Sequence, residues 1–129
     1  MHTPIRLLHH SISKEDLTAL YAVSDICLVT SIRDGMNLVS YEYVACQQGR
    51  GGVLILSKTT GAAETLRGSL LVNPTGADEV AQTIERALCM DEEERKQRQQ
   101  TSLKEVRRQT RYVCHFACLR RGGGLLTGI

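Results

Sequence analysis

Short apolar runs alternate with stretches of helical periodicity along most of this chain. Three runs, at residues 26–30, 53–56 and 69–72, are continuous rather than alternating, which is typical of parallel strands that are buried on both faces. Around them, apolar positions recur every three or four residues, and this spacing predicts helices. The predicted order is α-β-α-β-α-β-α-α. Such alternation predicts an α/β fold with three parallel strands, flanking helices and right-handed crossovers.

Local signals place the ends of several helices. Ser13 precedes a first turn that contains acids, so we expect it to cap the first helix, whose inner face should carry Leu17, Leu20 and Tyr21. Asp91, followed three residues later by Glu94, predicts the start of a long and mostly solvated final helix. With only three strands predicted, one edge of the sheet is expected to be open.

Composition excludes several classes of function. A formal net charge of +2 over 129 residues gives no electrostatic case for nucleic acid or a membrane surface, and the absence of Trp leaves few rings for base stacking. No apolar run approaches the roughly 20 residues of a membrane span. Five cysteines and an N-terminus without the layout of a secretory signal lead us to expect reduced thiols and a cytoplasmic location.

The most distinctive stretch, residues 33–42, reads RDGMNLVSYE and joins the first predicted strand to the second helix. A polar turn in this place lies where open α/β sheets bind ligands, outside the carboxyl ends of the strands. The free N–H groups at the start of the helix favour an anion such as a diphosphate. Gly35 permits a sharp turn and close approach of a ligand. Asp34 and Glu42 supply carboxylates, and Glu42 can reach a sugar hydroxyl near the helix start.

Spacing alone leaves two interpretations of this stretch open. Either the turn binds a phosphorylated or sugar ligand, or it is a solvated loop in which Asp34 or Asn37 caps the helix. Met36 and Leu38 are equally ambiguous, because both residues are also suited to plain packing. Glu42 lies beside an apolar helix face, where an acid costs free energy unless it finds a partner.

The exact string favours the first interpretation, because it strongly resembles the donor-sugar loop of trehalose-6-phosphate synthases. The resemblance covers residues 5–108 and continues in four further segments: 17–25, 52–57, 61–63 and 70–74. It implies that residues 1–110 are a partial Rossmann-like lobe of a GT-B glycosyltransferase, the C-terminal lobe that binds UDP-glucose. The family transfers glucose from UDP-glucose to glucose-6-phosphate with retained configuration, and it requires no metal or other cofactor.

The resemblance also implies roles for single residues. Seven of them are implied to bind the donor: Asp34, Gly35, Met36, Asn37, Leu38, Val39 and Glu42. Asp34, the candidate catalytic residue, is implied to bind the glucose hydroxyls, whereas Glu42 accepts from the uridine ribose. The backbone N–H groups of Leu38 and Val39 are implied to contact the diphosphate, whose negative charge must be stabilised as UDP leaves.

The family's acceptor-binding lobe, and the Arg and Lys that hold the diphosphate, have no counterpart in this sequence. The chain is therefore expected to be a fragment that is inactive alone, with glucose-6-phosphate as a partner only if the missing lobe is supplied. The alternatives are a non-catalytic nucleotide-sugar-binding or regulatory module associated with other trehalose synthase subunits, and a nonfunctional product that folds poorly. Residues 111–129 diverge from the family pattern, and no metal site is expected at Cys114, His115 and Cys118.

Overall fold

The computed structural model describes residues 4–109, and its eight elements follow the predicted order. The strands are β1 (Ile26–Val29), β2 (Val53–Ser57) and β3 (Leu70–Val72). The helices are α1 (Lys14–Val23), α2 (Leu38–Cys46), α3 (Ala62–Thr65), α4 (Ala77–Cys89) and α5 (Glu92–Arg108).

The three strands form one parallel sheet in the order β1-β2-β3, which confirms the predicted α/β class. Ile26 lies opposite Val53, and Ile55 lies opposite Leu70. β2 is the central strand and all five of its residues are buried. Two apolar clusters result, because successive side chains of a strand point to opposite faces of the sheet.

One cluster packs β2 against α2 and α5, and the other packs β2 and β3 against α4. The first cluster contains Tyr41, Tyr43, Leu56, Leu66 and Val106. The second cluster contains Ile55, Val72, Ala87 and Met90. The sheet is thus covered by helices on both faces, as a parallel sheet requires.

The prediction that every strand is buried on both faces is wrong for β1 and β3, the two edges of the described sheet. Leu28 of β1 is 42% exposed and only Val29 of that strand is buried, whereas Leu71 of β3 is 43% exposed. The predicted inner face of α1 is confirmed at Tyr21, which packs against the first cluster, but it is wrong for Leu20, which is 41% exposed. No residue of that helix is fully buried. The open edge itself was predicted.

Gln47 fixes the far end of α2 to two neighbouring elements. Its side chain is fully buried, and Nε2 donates to the carbonyl oxygens of Tyr21 and Ser24, the latter at 2.7 Å. Its Oε1 accepts from the backbone N–H of Gly52 at 3.1 Å. A side chain at position 52 would overlap the Tyr43 hydroxyl and Gln47 itself. The contact therefore sets the position of α2 between α1 and the start of β2.

The charged final helix, α5, begins as predicted. The Asp91 side chain accepts from the N–H of Glu94 at 2.7 Å. One side of the helix is covered: Gln99, Ser102 and Val106 are buried. No helix within residues 4–109 is long and apolar enough to cross a bilayer.

Candidate functional site

The candidate site lies at the carboxyl end of the sheet, where two turns from neighbouring parallel strands meet. We call residues 33–37, between β1 and α2, the acidic turn, and residues 57–61, which begin with the last residue of β2, the second turn. Asp34 and Thr60 form an isolated parallel bridge. The N–H of Gly61 donates to the Asp34 carbonyl oxygen at 3.0 Å, and the Thr59 hydroxyl donates to the Ser31 carbonyl oxygen at 3.1 Å. The acidic turn is therefore held against the second turn.

Asn37 is the residue that caps α2. Its Oδ1 accepts from the Ser40 N–H at 2.9 Å and from the Ser40 hydroxyl at 2.8 Å. Its Nδ2 donates to Asp34 Oδ2 at 2.8 Å, and the Asn37 side chain is 8% exposed. Of the two predicted candidates for the cap, Asn37 is confirmed and Asp34 is wrong. The half-buried Asp34 carboxylate is instead held in place by the residue that caps the helix.

The start of α2 presents backbone N–H groups at the same place. Leu38 and Val39 are its first two residues, so their N–H groups have no carbonyl four residues back within the helix. Asn37 already satisfies the N–H of Ser40. The two remaining groups carry the partial positive charge of the helix terminus, and an anion is favoured there.

Apolar side chains beside these N–H groups lie at the surface. Met36 is 36% exposed, Leu38 is 49% exposed and Val39 is 41% exposed. Plain core packing therefore does not explain Met36 or Leu38. The face of α2 that packs inward lies elsewhere on the helix and includes Tyr41 and Tyr43.

Glu42 lies on the second turn of α2, half-buried, with α1 beside it. Its partner is Tyr21, whose hydroxyl hydrogen-bonds to the carboxylate. Burial raises the pKa of the Glu42 carboxyl above its ordinary value, although the Tyr21 bond and the positive charge of Lys14 both lower it. Burial and the nearby Glu42 charge together raise the pKa of Tyr21 to about 12. Placing an acid here therefore costs free energy, as predicted, and Tyr21 and Lys14 offset only part of that cost.

Two glycines have different parts in this geometry. Gly35 was predicted to permit a sharp turn, but its φ is not positive. Its backbone conformation therefore does not require glycine. Nothing lies within 4 Å of the place where its side chain would be, which leaves that side open to a ligand. A side chain on Gly61, in contrast, would overlap the carbonyl oxygen of Gly35. Close contact between the two turns therefore requires glycine at position 61.

The structure brings most of the predicted site together and adds residues that were not predicted. Six of the seven predicted residues lie consecutively at the start of α2, and Glu42 lies one turn further along that helix. Thr60, Gly61 and Tyr21 were not predicted to be site residues. Gly61 had one sequence signal, its place in the turn after the second strand, but nothing local indicated its contact with the acidic turn.

Cys114, His115 and Cys118, where no metal site is expected, lie outside the described residues. Within residues 4–109, no three His, Cys, Asp or Glu side chains are grouped so as to hold a metal ion.

Comparisons with known proteins place this arrangement in context. The profile of glycosyltransferase family 20 matches residues 1–116. An alpha,alpha-trehalose-phosphate synthase [UDP-forming] of Schizosaccharomyces pombe is 51% identical over 115 residues, which is 89% of this chain and 22% of that protein. The chain therefore spans about a fifth of the length of this relative.

Solved structures agree with the sequence comparison. The N-terminal domain of Candida albicans trehalose-6-phosphate phosphatase superposes with a TM-score of 0.81 at 34% identity, over 92% of this chain and 27% of that one. The E. coli trehalose-6-phosphate structure bound with UDP-2-fluoro glucose superposes with a TM-score of 0.76 at 38% identity, over 88% of this chain and 26% of that one.

Proposed function

The chain belongs to glycosyltransferase family 20, and from that premise we propose that residues 34–42 bind the donor UDP-glucose. The observation that carries the proposal is the start of α2. There, two backbone N–H groups without partners inside the helix lie beside a carboxylate, Asp34, which Asn37 holds at 2.8 Å. An anion and a polyhydroxyl group on one ligand would match this pair of features. A nucleoside diphosphate sugar has both.

The proposed contacts divide the ligand into three parts. The N–H groups of Leu38 and Val39 bind the diphosphate, because they point out of the helix terminus. The Asp34 carboxylate accepts from glucose hydroxyls, and Gly35 leaves the space through which the sugar approaches. Glu42 accepts from the ribose hydroxyls, which replace or share the bond that Tyr21 now donates.

The proposed reaction of the complete protein is transfer of glucose from UDP-glucose to glucose-6-phosphate, giving trehalose 6-phosphate and UDP. The chief chemical demand is stabilisation of the charge that develops on the leaving diphosphate, and preorganised N–H groups at a helix start supply part of it. This stretch is proposed to be the donor side only, acting without a metal or other cofactor. We place it in the cytoplasm, where the thiols of Cys27, Cys46 and Cys89 would remain reduced.

A non-catalytic nucleotide-sugar-binding or regulatory module is the second candidate. The similarity to the N-terminal domain of a trehalose-6-phosphate phosphatase favours it, because that neighbour carries the same fold in a protein named for a different activity. Binding of UDP-glucose without formation of trehalose 6-phosphate, after the remaining lobe has been supplied, would support this candidate over the first.

Glu42→Gln tests the proposed ribose contact. We expect calorimetry to show UDP affinity lowered by about ten- to hundredfold, because a hydrogen bond to a charged acceptor is lost. The melting temperature at pH 7 should stay the same or rise. The raised pKa means that the folded state disfavours the ionised carboxyl, so the neutral amide removes a cost. This advantage should vanish at low pH, where Glu42 is protonated in both the folded and the unfolded states.

The wild-type chain should also lose UDP affinity as the pH falls through the pKa of Glu42, and Glu42→Gln should lack that part of the pH dependence. Glu93→Gln, at an exposed acid in the first turn of α5, is the matched control and should change neither property. Unchanged UDP affinity in Glu42→Gln, with wild-type binding intact, would show that the ribose is held elsewhere.

A further inference from the structure

We propose that Gly61 is a positioning residue for the donor sugar, acting through the backbone of the acidic turn on the carboxylate of Asp34. The inference rests on the proposed function and deepens it. It assigns a role to a residue 27 positions after Asp34 along the chain, in a turn for which no contact with the ligand is proposed.

The contact between the two turns is made at Gly61 from two directions. Its N–H donates to the carbonyl oxygen of Asp34 at 3.0 Å. Its missing side chain leaves the space that the Gly35 carbonyl oxygen occupies. Two consecutive peptide units, Asp34–Gly35 and Gly35–Met36, thus have their carbonyl oxygens against one residue, Gly61. The isolated bridge between Asp34 and Thr60 belongs to the same contact.

Fixing this backbone also fixes the Asp34 side chain. Asn37 holds the carboxylate from one side at 2.8 Å, and Asn37 is itself held by Ser40 within α2. Gly61 holds the Asp34 backbone from the other side. With both ends set, the carboxylate keeps one orientation before any ligand arrives, which lowers the ordering cost of binding.

The proposed nucleotide contacts do not depend on the contact between the acidic turn and the second turn. The N–H groups of Leu38 and Val39 belong to α2, and Glu42 lies further along that helix. Gln47 fixes α2 independently, at its opposite end. Displacing the acidic turn should therefore weaken recognition of the sugar and leave recognition of UDP largely unchanged.

The test compares three glycine-to-alanine variants of the full chain for binding of UDP-glucose and of UDP. Gly61→Ala forces the two turns apart. Gly68→Ala creates an equally severe overlap, with the Arg98 carbonyl oxygen of α5, so it controls for lost stability. Gly76→Ala meets its neighbours only at 3.6 Å and is the neutral control. Amide spectra of each unliganded variant supply a second readout.

We expect Gly61→Ala to lower UDP-glucose affinity by about ten- to hundredfold with little change for UDP, and to shift the amide resonances of residues 33–37. Gly68→Ala should lower the melting temperature without this difference between the losses of affinity for UDP-glucose and for UDP. Thr59→Val, which removes the hydroxyl's bonds to the Ser31 carbonyl oxygen and to the Ser57 hydroxyl, should give a smaller split in the same direction. It serves as the test variant if Gly61→Ala does not fold.

Equal losses for UDP-glucose and UDP in Gly61→Ala, or a split that Gly68→Ala reproduces, would overturn the positioning role while leaving the donor site in place. Failure of the wild-type chain to bind either ligand, even after the complementary lobe has been added, would overturn the proposed function, and the positioning role with it. The wild-type measurement therefore distinguishes the two failures.

Discussion

Asp34→Ala should weaken binding of UDP-glucose by about ten- to hundredfold and leave binding of UDP nearly unchanged, as measured by calorimetry. The carboxylate is half-buried and already oriented by Asn37, so it offers glucose hydroxyls a charged acceptor at little ordering cost. UDP has no glucose and loses nothing when the carboxylate is removed. Removing a negative charge near the helix start can only favour the diphosphate.

Two further variants make the Asp34 result specific. Asp34→Asn keeps one acceptor oxygen but no charge, so its affinity for UDP-glucose should lie between those of the wild type and Asp34→Ala. Asp78→Ala, at an exposed acid in the first turn of α4, should change neither affinity. An Asp34→Ala chain that still prefers UDP-glucose over UDP as strongly as the wild type would show that the sugar does not contact this carboxylate.

Gln47→Leu should destabilise the fold by about 2–5 kcal/mol, a large part of the roughly 5–15 kcal/mol that holds a domain together. The leucine fills similar space but leaves the backbone carbonyls of Tyr21 and Ser24 and the N–H of Gly52 without their partner. A buried polar group that loses its partner costs its full desolvation penalty. Urea unfolding measures the change in free energy.

Gln48→Leu is the matched control, because Gln48 is the neighbouring glutamine and is only partly buried. It should change the free energy of unfolding by less than about 0.5 kcal/mol. Equal stability of the two variants would mean that Gln47 contributes no more than an exposed polar residue. The hydrogen bonds would then not be what ties α2 to α1 and β2.

The sequence predicted well those features that depend on neighbours in the chain. The order of all eight elements, the caps at Ser13 and Asp91, and the location of the acidic turn after β1 were confirmed. Each of these has a local cause, such as a continuous apolar run or a capping side chain three residues from the N–H that it accepts from. The family resemblance was confirmed by the comparisons.

Features that depend on distant parts of the chain were predicted poorly. Leu28 and Leu20 have apolar side chains in the expected pattern, yet both are exposed, since burial depends on which elements pack against them. Periodicity identifies an apolar face but does not show which element, if any, packs against it. Gly61 illustrates the same limit at the site, because its contact with Gly35 joins positions that are 26 residues apart.

The roles of the site residues are implied by the resemblance, and the local geometry has decided between alternative roles for some of them. Asp34 and Asn37 were equal candidates for the helix cap until the hydrogen bonds of Asn37 decided between them. Gly35 was expected to ease a turn, yet its backbone is unstrained and only the open space beside it fits a ligand role. The donor contacts of Asp34 and Glu42 remain predictions that binding experiments can test.

The central claim is that residues 34–42 bind UDP-glucose through the start of α2. Titration of the isotope-labelled chain with UDP-glucose, followed by its amide spectrum, tests this most directly. The resonances of Leu38 and Val39 should move with either UDP or UDP-glucose, whereas those of Asp34 and Gly35 should move further with UDP-glucose. If both ligands leave the whole 34–42 segment unchanged, even after the complementary lobe has been added, the account is contradicted.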